Sequence, residues 1–437
     1  MHIQRLWSFA VLVYAILAVS PPARAQTLVF PSSSPVDQAI PIQVRGLSPG
    51  ARVTLRTAVA DAQGQLWMAR AQFRADASGA IDSGRDPALS GSYTGVEAGG
   101  LFNHARAVGD TARHLRFLTS GLAALPTTIA VEDPSGQLLD SIVVDRFFLA
   151  PGVNVAALSE DGLVGRLFVP DRPRAPGIVV LGGSEGGYPD GAAALLATNG
   201  FVVLSLAYFA ADTLPSELRE IPLDYVTQAI DWLRARPVVS SNRVALFGTS
   251  KGAEAALLVA SHVPEIAAVV AFAPSSVAWS CICGEPQFPS WTYRGRPVTS
   301  VPPGTDPAYR PAAGEPLRPT VNYVHRLRTA PAGSVIPVER ISAPLLLVAG
   351  GDDQLWPSLP MSRAIMERRA SLPMHADDEL LVYPSAGHLI GKAYVPSGST
   401  RVGGGRIETG GSSAENARAQ ADAWPRVLAF LAKALTR

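Results

Sequence analysis

The stretch Val-Ala-Leu-Phe-Gly-Thr-Ser-Lys-Gly-Ala-Glu-Ala-Ala-Leu-Leu-Val-Ala-Ser, residues 244–261, decides the fold of this chain. Apolar residues lead to Gly248, Ser250 lies between Gly248 and Gly252, and a run of small, helix-favouring residues follows. This order predicts a buried strand, a tight turn and a helix, with the pattern G-x-S-x-G at the turn. Glycines at both flanks allow a reversal so sharp that it strains the serine and lifts its hydroxyl clear of the sheet. Ser250 is therefore a candidate nucleophile.

The composition is that of a large and nearly neutral globular protein. The chain has 437 residues, of which 37 are Lys or Arg and 36 are Asp or Glu, and 47% are hydrophobic. This length exceeds what one hydrophobic core usually supports, so we expect two domains. The near-zero net charge gives no reason to expect nucleic acid or an anionic membrane surface as a partner.

Residues 1–25 are predicted to be a signal peptide. Arg5 precedes an uncharged apolar run over residues 6–19, and Ala-Arg-Ala at 23–25 has the small-x-small pattern of a cleavage site. The apolar run is too short for a membrane span. We therefore expect an exported protein, periplasmic or secreted, with no membrane span once the signal is removed.

Residues 27–150 are predicted to form an all-β sandwich of the immunoglobulin-like type. Alternating stretches such as residues 53–56 are separated by turn sequences such as Asp-Ala-Gln-Gly at 61–64 and Asp-Pro-Ser-Gly at 133–136. Strands at this spacing, with no helical period between them, are typical of such sandwiches. The domain carries no candidate acid, base or nucleophile. We expect it to pack against the second domain and to shape one wall of the site entrance.

Residues 151–437 are predicted to form an α/β-hydrolase domain, with a doubly wound and mostly parallel sheet. Near-continuous apolar strands that alternate with helices indicate a parallel sheet covered on both faces. The predicted strands are 165–169, 178–181, 201–206, 244–247, 268–272, 345–349 and 379–383, and the predicted helices include 192–198, 223–234 and 414–435. Residues 274–340 lack strong periodicity and are expected to be a lid or a substrate-binding excursion.

A serine nucleophile needs a base that is held by an acid. In a doubly wound hydrolase these follow the serine in the order acid, then histidine, each at the carboxyl end of a strand. One late strand runs into Gly-Gly-Asp-Asp at 350–353, and the next runs into Gly387-His388. His388 is the predicted base and Asp353 the predicted acid, with its neighbour Asp352 as the alternative acid.

An oxyanion hole requires two N–H groups that point at one carbonyl oxygen. The first is expected from Lys251, directly after the nucleophile, whose side chain is expected in solvent. The second is expected from the glycine-rich loop at residues 182–187, with Ser184 or Glu185 as the donor.

The long excursion contains the candidate substrate-binding residues and both cysteines. Trp279, Trp291 and Tyr293 are candidates for an apolar cleft, although aromatic residues in a long loop also serve to anchor it. Cys281 and Cys283 match half a zinc site, but the sequence has no partner pair, so two thiols or a local bridge are expected. We predict no metal and no organic cofactor.

Taken in order, these motifs resemble the acyl-CoA thioesterase and bile acid-CoA:amino acid N-acyltransferase family. The resemblance rests on residues 44–50 and 53–56, 89–97, the glycine loop, 207–209, 248–254, 351–353 with Trp356, 383–384 with 387–388, and 421–431. It implies an immunoglobulin-like domain before an α/β-hydrolase domain. The family's Ser/Cys, Asp and His fall on Ser250, Asp353 and His388.

The expected function is cleavage of an acyl thioester or carboxylic ester of a small molecule through an acyl-enzyme intermediate. The family's amino acid transferase carries cysteine where this chain has Ser250, and a serine acyl-enzyme is more readily hydrolysed by water. Acyl-CoA is the substrate that the resemblance implies, whereas the predicted signal favours an extracytoplasmic ester or thioester. The alternatives are an N-acyltransferase and a catalytically inert binding protein.

Overall fold

The computed structural model describes residues 27–109, 115–370, 377–391 and 393–436. The predicted signal peptide, residues 1–25, lies outside these ranges. Among the helices within them, none is long and apolar enough to cross a membrane.

The N-terminal part of the described chain is a β-sandwich. Its elements are β1 (Thr27–Val29), β2 (Ser33–Pro35), β3 (Gln43–Arg45), β4 (Arg52–Ala60), β5 (Leu66–Arg74), β6 (Ile81–Asp82), β7 (Ser90–Gly91), α1 (Gly100–Asn103), β8 (Arg106–Ala107), β9 (Leu125–Glu132) and β10 (Leu138–Phe147). The smaller sheet has the order β1-β3-β6, and the larger has the order β2-β10-β9-β4-β5-β7, with β8 on β5. The short helix α1 was not predicted.

Alternation along the strands builds the sandwich core. In β4 every second residue is buried, beginning with Val53, while Arg52 faces solvent. Leu55 and Ile129 of the larger sheet belong to the same apolar cluster as Val44 of the smaller sheet. The two sheets therefore bury their inner faces against each other, as period-two patterning requires.

The C-terminal part is built on one twisted sheet. Its strands are β11 (Asn154–Glu160), β12 (Leu163–Val169), β13 (Ala175–Leu181), β14 (Val202–Leu206), β16 (Val239–Thr249), β17 (Ile266–Phe272), β20 (Leu345–Gly350) and β21 (Glu379–Tyr383). The order is β11-β12-β14-β13-β16-β17-β20-β21. The pairs of β12 with β11 and β14 are antiparallel, and every later pair is parallel.

Helices cover both faces of this sheet, as expected of a doubly wound α/β fold. The helices are α2 (Asp190–Thr198), α3 (Leu223–Arg234), α4 (Lys251–Ala260), α5 (Pro319–Leu327), α6 (Ser358–Ala370) and α7 (Ser413–Leu435), and short strands in the connections are β15 (Ile221–Pro222), β18 (Trp291–Tyr293), β19 (Arg296–Pro297), β22 (Arg401–Val402) and β23 (Ile407–Glu408). Adjacent residues of β16 fall in different clusters. Leu246 packs with residues of α3 and α4, whereas Phe247 packs with residues of α2 and α7.

The sandwich and the C-terminal part share one apolar cluster. That cluster contains Leu55 and Phe148 from the N-terminal part together with Phe247 and Trp424 from the C-terminal part. A polar contact reinforces it, because the Asp37 carboxylate accepts a hydrogen bond of 2.8 Å from the indole nitrogen of Trp424. The two parts therefore pack as one body around the face of the sheet that carries α7.

Candidate active site

Ser250 stands at a strained turn between β16 and α4. Its backbone has φ 55° and ψ −118°, a conformation that residues with a Cβ rarely adopt. The flanking glycines make the turn possible. A Cβ on Gly248 would lie 2.3 Å from the carbonyl oxygen of Gly252, and one on Gly252 would lie 2.2 Å from that of Gly182. The strand, turn and helix predicted around Ser250 are thus present.

The structure brings Ser250, His388 and Asp353 together. The Nε2 atom of His388 lies 3.1 Å from the Oγ of Ser250, and its Nδ1 lies 2.8 Å from an Oδ of Asp353. All three are buried. These residues come from the carboxyl ends of β16, β20 and β21, which meet at one edge of the sheet. The contacts form a continuous line from carboxylate through imidazole to hydroxyl.

The Asp353 carboxylate is fixed by donors from its own loop. Its Oδ1 accepts hydrogen bonds from the backbone N–H groups of Leu355 at 3.0 Å and Trp356 at 3.1 Å. Its Oδ2, which faces His388, also accepts a hydrogen bond of 2.6 Å from the Ser358 hydroxyl. The carboxylate therefore cannot rotate away from the imidazole without losing several hydrogen bonds.

Asp352, the alternative acid, points elsewhere. One of its carboxylate oxygens accepts a hydrogen bond of 2.9 Å from the N–H of Gly411, and the other accepts one of 2.6 Å from the Gln354 amide. Asp352 thereby joins the loop after β20 to the loop before α7, while Asp353 contacts His388.

The loop that carries His388 is held from several sides. The N–H of His388 donates to the carbonyl oxygen of Thr409 at 2.8 Å, and the N–H of Gly387 donates to the Asn416 side chain at 2.8 Å. The Trp356 ring packs edge-on against the imidazole, with 5.8 Å between ring centroids. These contacts set the orientation of the imidazole.

The glycine-rich loop after β13 lies beside the Ser250 turn. Ser184 and Glu185 both line the cavity next to Ser250. The N–H of Gly183 donates to the Glu185 carboxylate at 3.3 Å. Since that N–H is already bonded, the N–H groups of the next two residues are the better candidates for an oxyanion donor.

The side chain of Lys251 is not in solvent, so that prediction is wrong. It is 1% exposed and forms an ion pair with Glu254, which is fully buried. Burial lowers the pKa of Lys251 and raises the pKa of Glu254, and the ion pair opposes both shifts. A solvated side chain was predicted because lysine is almost never fully buried without a partner. The partner that allows this burial, Glu254, lies three residues further along the same helix.

A cavity of about 600 Å³ opens beside Ser250 and His388. Most of its wall is apolar, from the sheet, the loop after His388, helix α7 and the sandwich. The apolar wall includes Phe117, Val180, Leu181, Phe247, Phe272, Leu355, Leu389, Ile390, Val395 and Trp424. Arg116, Phe117 and Thr119 come from the N-terminal part, so the sandwich forms part of the wall, as expected.

The excursion does not supply that wall, which corrects the prediction for Trp279, Trp291 and Tyr293. None of the three lines the cavity beside Ser250. Both indole rings are 1% exposed and their N–H groups are bonded within the protein, to Ser275 and Glu254 respectively. Tyr293 stacks on His262 with 4.1 Å between ring centroids. The aromatic residues anchor the segment to the domain.

Cys281 and Cys283 of the same segment form a disulfide, which the sequence had left open as one of two states.

Sequence reasoning missed several residues of the site. Ser358 follows Asp353 by five residues and could have been found only as a hydroxyl near the acid. Phe117, Ile390 and Trp424 line the cavity but carry no motif, since they lie far apart in the sequence. The resemblance had already marked Trp356, whose ring contacts His388.

Two family models and several known proteins match most of the chain. The family model described as "Acyl-CoA thioester hydrolase/BAAT N-terminal region" matches residues 37–160, and that described as "BAAT / Acyl-CoA thioester hydrolase C terminal" matches residues 221–437. Acyl-coenzyme A thioesterase 1 of Rattus norvegicus is 34% identical over 409 residues, or 91% of this chain and 94% of that protein. The chain belongs to the acyl-CoA thioester hydrolase/BAAT family.

Further relatives agree. The mitochondrial acyl-coenzyme A thioesterase 2 of Mus musculus is 33% identical over 91% of this chain and 87% of its own length. The peroxisomal succinyl-coenzyme A thioesterase of Mus musculus is 32% identical over 91% of this chain and 94% of its own length. The resemblance that the motifs carried is confirmed.

Proposed function

We propose that this member of the family is a serine hydrolase that cleaves an acyl thioester or carboxylic ester. Ser250 attacks the acyl carbon, and His388 accepts the hydroxyl proton at Nε2 and returns it to the leaving group. Asp353 orients the imidazole and stabilises its protonated form. Water then attacks the acyl-enzyme with His388 again as the base. The observation that carries the proposal is the line of contacts Ser250–His388–Asp353, at 3.1 and 2.8 Å.

The negative charge that develops on the acyl oxygen needs two N–H donors. We assign one to the backbone of Lys251, at the N-terminus of α4, where the helix dipole also favours negative charge. The other is the backbone N–H of Ser184 or Glu185. Ser184 and Glu185 line the cavity, and Lys251 begins the helix directly after Ser250, which supports the assignment.

The apolar lining of the cavity supports a substrate that is recognised through an apolar acyl group. A volume of about 600 Å³ lies within the roughly 300–1,000 Å³ of typical small-molecule sites. Phe247, Phe272 and Trp424 offer aromatic walls to an alkyl or aromatic chain. Since the relatives are named for acyl-CoA substrates, we propose an acyl-CoA or a closely related thioester.

The test combines one variant with a covalent probe. Ser250→Ala should lower kcat on an activated ester by about 10⁴-fold or more. A fluorophosphonate should label the wild type at Ser250 and leave the variant unlabelled. Full activity in a folded Ser250→Ala protein would overturn the proposal, and so would a wild type that is neither labelled nor active, which is the behaviour of an inert binding protein.

A substrate panel then separates the finer alternatives. Acyl-CoA, p-nitrophenyl esters and lactones are compared at equal acyl length, and glycine or taurine is added to each reaction. The proposal expects free acid as the product. An amide product that dominates at millimolar amine would identify the chain as an N-acyltransferase.

We propose in addition that the protein is exported, on the pattern of residues 1–25. Fractionation of the native host should place a product that begins at Gln26 outside the cytoplasm. A full-length product in the cytoplasm would contradict export and would favour acyl-CoA among the substrates.

A further inference from the structure

The first turn of α4 holds an ion pair that the reaction does not use. The Nζ of Lys251 lies 2.8 and 2.9 Å from the two carboxylate oxygens of Glu254, and the two side chains are 1% and 0% exposed. Removing two charges from water is costly, and the attraction between them compensates only when further hydrogen bonds satisfy the remaining atoms. Those further bonds show what the pair is attached to.

The segment at residues 274–339 supplies the additional donors. An oxygen of Glu254 accepts hydrogen bonds from the backbone N–H of Trp279 at 3.0 Å and from the indole N–H of Trp291 at 2.7 Å. The Nζ of Lys251 in turn lies 3.4 Å from the carbonyl oxygen of Trp279. Since Lys251 directly follows the nucleophile, these bonds tie its backbone to a second part of the domain.

A neighbouring tyrosine holds the other loop. The hydroxyl of Tyr208 donates to the carbonyl oxygen of Gly182 at 2.6 Å, and burial raises the pKa of this phenol well above its usual range, so it remains a donor. The Tyr208 ring contacts the Trp291 ring, with 5.7 Å between centroids. Tyr208, Lys251, Glu254, Trp279 and Trp291 therefore form one connected group, which we call the elbow-support cluster.

The two backbone segments that this cluster holds also contact each other. A Cβ on Gly252 would lie 2.2 Å from the oxygen of Gly182, so only glycine permits the observed approach. Oxyanion donors act at about 2.7–3.1 Å from the developing oxyanion. If either backbone segment shifted slightly, its N–H would move out of hydrogen-bond range of the acyl oxygen, while the N–H of the other segment would still contact that oxygen.

We propose that the elbow-support cluster sets the spacing between the two backbone segments that supply the oxyanion donors, with Tyr208 and Glu254 as positioning residues. The inference rests on the proposed hydrolase function. It assigns to the excursion a role in the reaction different from substrate contact: its tryptophans hold the catalytic backbone from within the domain.

The variants Tyr208→Phe and Glu254→Gln test this role against a matched control, Tyr225→Phe. Tyr225 of α3 also donates its hydroxyl to a backbone carbonyl, that of Ala207 at 2.9 Å. Loss of a whole oxyanion donor lowers kcat by about 10²–10³-fold, so misalignment of one should lower it by roughly tenfold. We expect that fall in both test variants with KM within about twofold, and no such fall in Tyr225→Phe.

A second readout follows the oxyanion itself. When Ser250 adds to an alkyl trifluoromethyl ketone, its Oγ forms a bond to the carbonyl carbon. The proton passes to His388, and the electron pair of the C=O bond moves to the oxygen, which becomes the oxyanion. In the test variants, the inhibition constant of this ketone should rise by about the factor by which kcat falls. Affinity for the primary alcohol of the same chain length, which is neutral and does not react with Ser250, should stay within about twofold.

The outcomes separate the positioning role from the proposed function. A folded Tyr208→Phe protein with kcat and ketone affinity within twofold of wild type would overturn the positioning role, as would an equal loss in Tyr225→Phe. If Glu254→Gln does not fold, Tyr208→Phe decides alone. A wild type with no turnover and no labelling would instead overturn the hydrolase function.

Discussion

Two long irregular segments follow strands of the hydrolase sheet, and they do different things. The first segment, residues 274–339, follows β17, and the second segment, residues 389–411, follows His388. The second lines the cavity with Leu389, Ile390 and Val395, whereas no described residue of the first does so. The first instead sends its tryptophans into the elbow-support cluster.

The two segments differ in what they are attached to, and this attachment, more than length or aromatic content, decides which of them lines the cavity. The second segment follows His388 directly, and its end pairs with the loops of the site, at Asp353 with Gly410 and at Ala386 with Gly411. Its side chains are thereby confined to the space beside the imidazole. The first segment has more aromatic residues, yet their indole N–H groups find partners in the protein, which fixes the rings in the interior.

The largest expected difference in kcat is between substitutions of two histidines, one directly before the second segment and one within the first. His388 lies 2.8 Å from Asp353, and His325 of α5 lies 3.9 Å from a carboxylate oxygen of Asp306. His388→Ala should lower kcat by about 10⁴-fold or more, because the general base is lost. His325→Ala should keep kcat within about twofold. Steady-state kinetics on one activated ester measures both.

A large loss of kcat in folded His325→Ala would contradict the comparison, because it would place a side chain of the first segment among the reacting groups. Retention of activity in His388→Ala would show that another residue acts as the general base.

Much of the fold and the centre of the site could be predicted from the sequence. Helix α3 and strand β21 have the predicted bounds, Leu223–Arg234 and Glu379–Tyr383. Buried parallel strands read as apolar runs, and each predicted reactive residue follows the end of such a run. Ser250, His388 and the pair Asp352–Asp353 were therefore within reach of local pattern, whereas only the structure shows which aspartate contacts His388.

The surroundings of these residues could not be predicted in the same way. The partners of Lys251 are Glu254, visible on the same helix turn, and Trp279 and Trp291, which no local pattern connects to it. The cavity wall combines Phe117 with Trp424, which lie far apart in the chain. Such contacts depend on tertiary packing, and packing between distant segments leaves no periodic signal in a single sequence.

The next contrast concerns acyl chain length. Val395 lines the cavity, and Val324 lies on α5 with 39% of its surface exposed. Val395→Trp fills part of the cavity, so kcat/KM for a long acyl chain should fall by roughly 10–100-fold while a two-carbon acyl substrate changes by less than about threefold. Val324→Trp should leave the profile across chain lengths unchanged.

An equal loss for short and long substrates in Val395→Trp would mean that the wall does not bind the chain. A smaller variant, Val395→Ala, is measured as well, since it enlarges the cavity and should shift the preference towards longer chains.

A smaller contrast uses two matched tryptophans. The indole N–H of Trp279 donates to Ser275 at 2.8 Å, and that of Trp424 donates to Asp37 at 2.8 Å. Replacement of either by Phe removes one buried hydrogen bond, at a cost of about 1–3 kcal/mol in the free energy of unfolding. Thermal unfolding should show both losses. Only Trp424→Phe should also alter the acyl chain preference, because only Trp424 lines the cavity; an altered preference in Trp279→Phe would contradict the comparison.

The smallest effect is expected from the disulfide of the first segment. Cys281 and Cys283 are separated by one residue, so their bond restricts little of the unfolded chain, and the double variant Cys281→Ser/Cys283→Ser should lose only about 1–2 kcal/mol of stability. Because Cys281 follows Trp279 by two residues without lining the cavity, kcat and chain preference should stay within about twofold. Wild type treated with a thiol reductant should reproduce the variant in thermal unfolding and in kinetics, and untreated wild type serves as the reference. A reductant that lowers wild-type kcat tenfold, but has no effect on the double variant, would show that the disulfide acts on the elbow-support cluster through its tryptophans, and the first segment would then have a regulatory role.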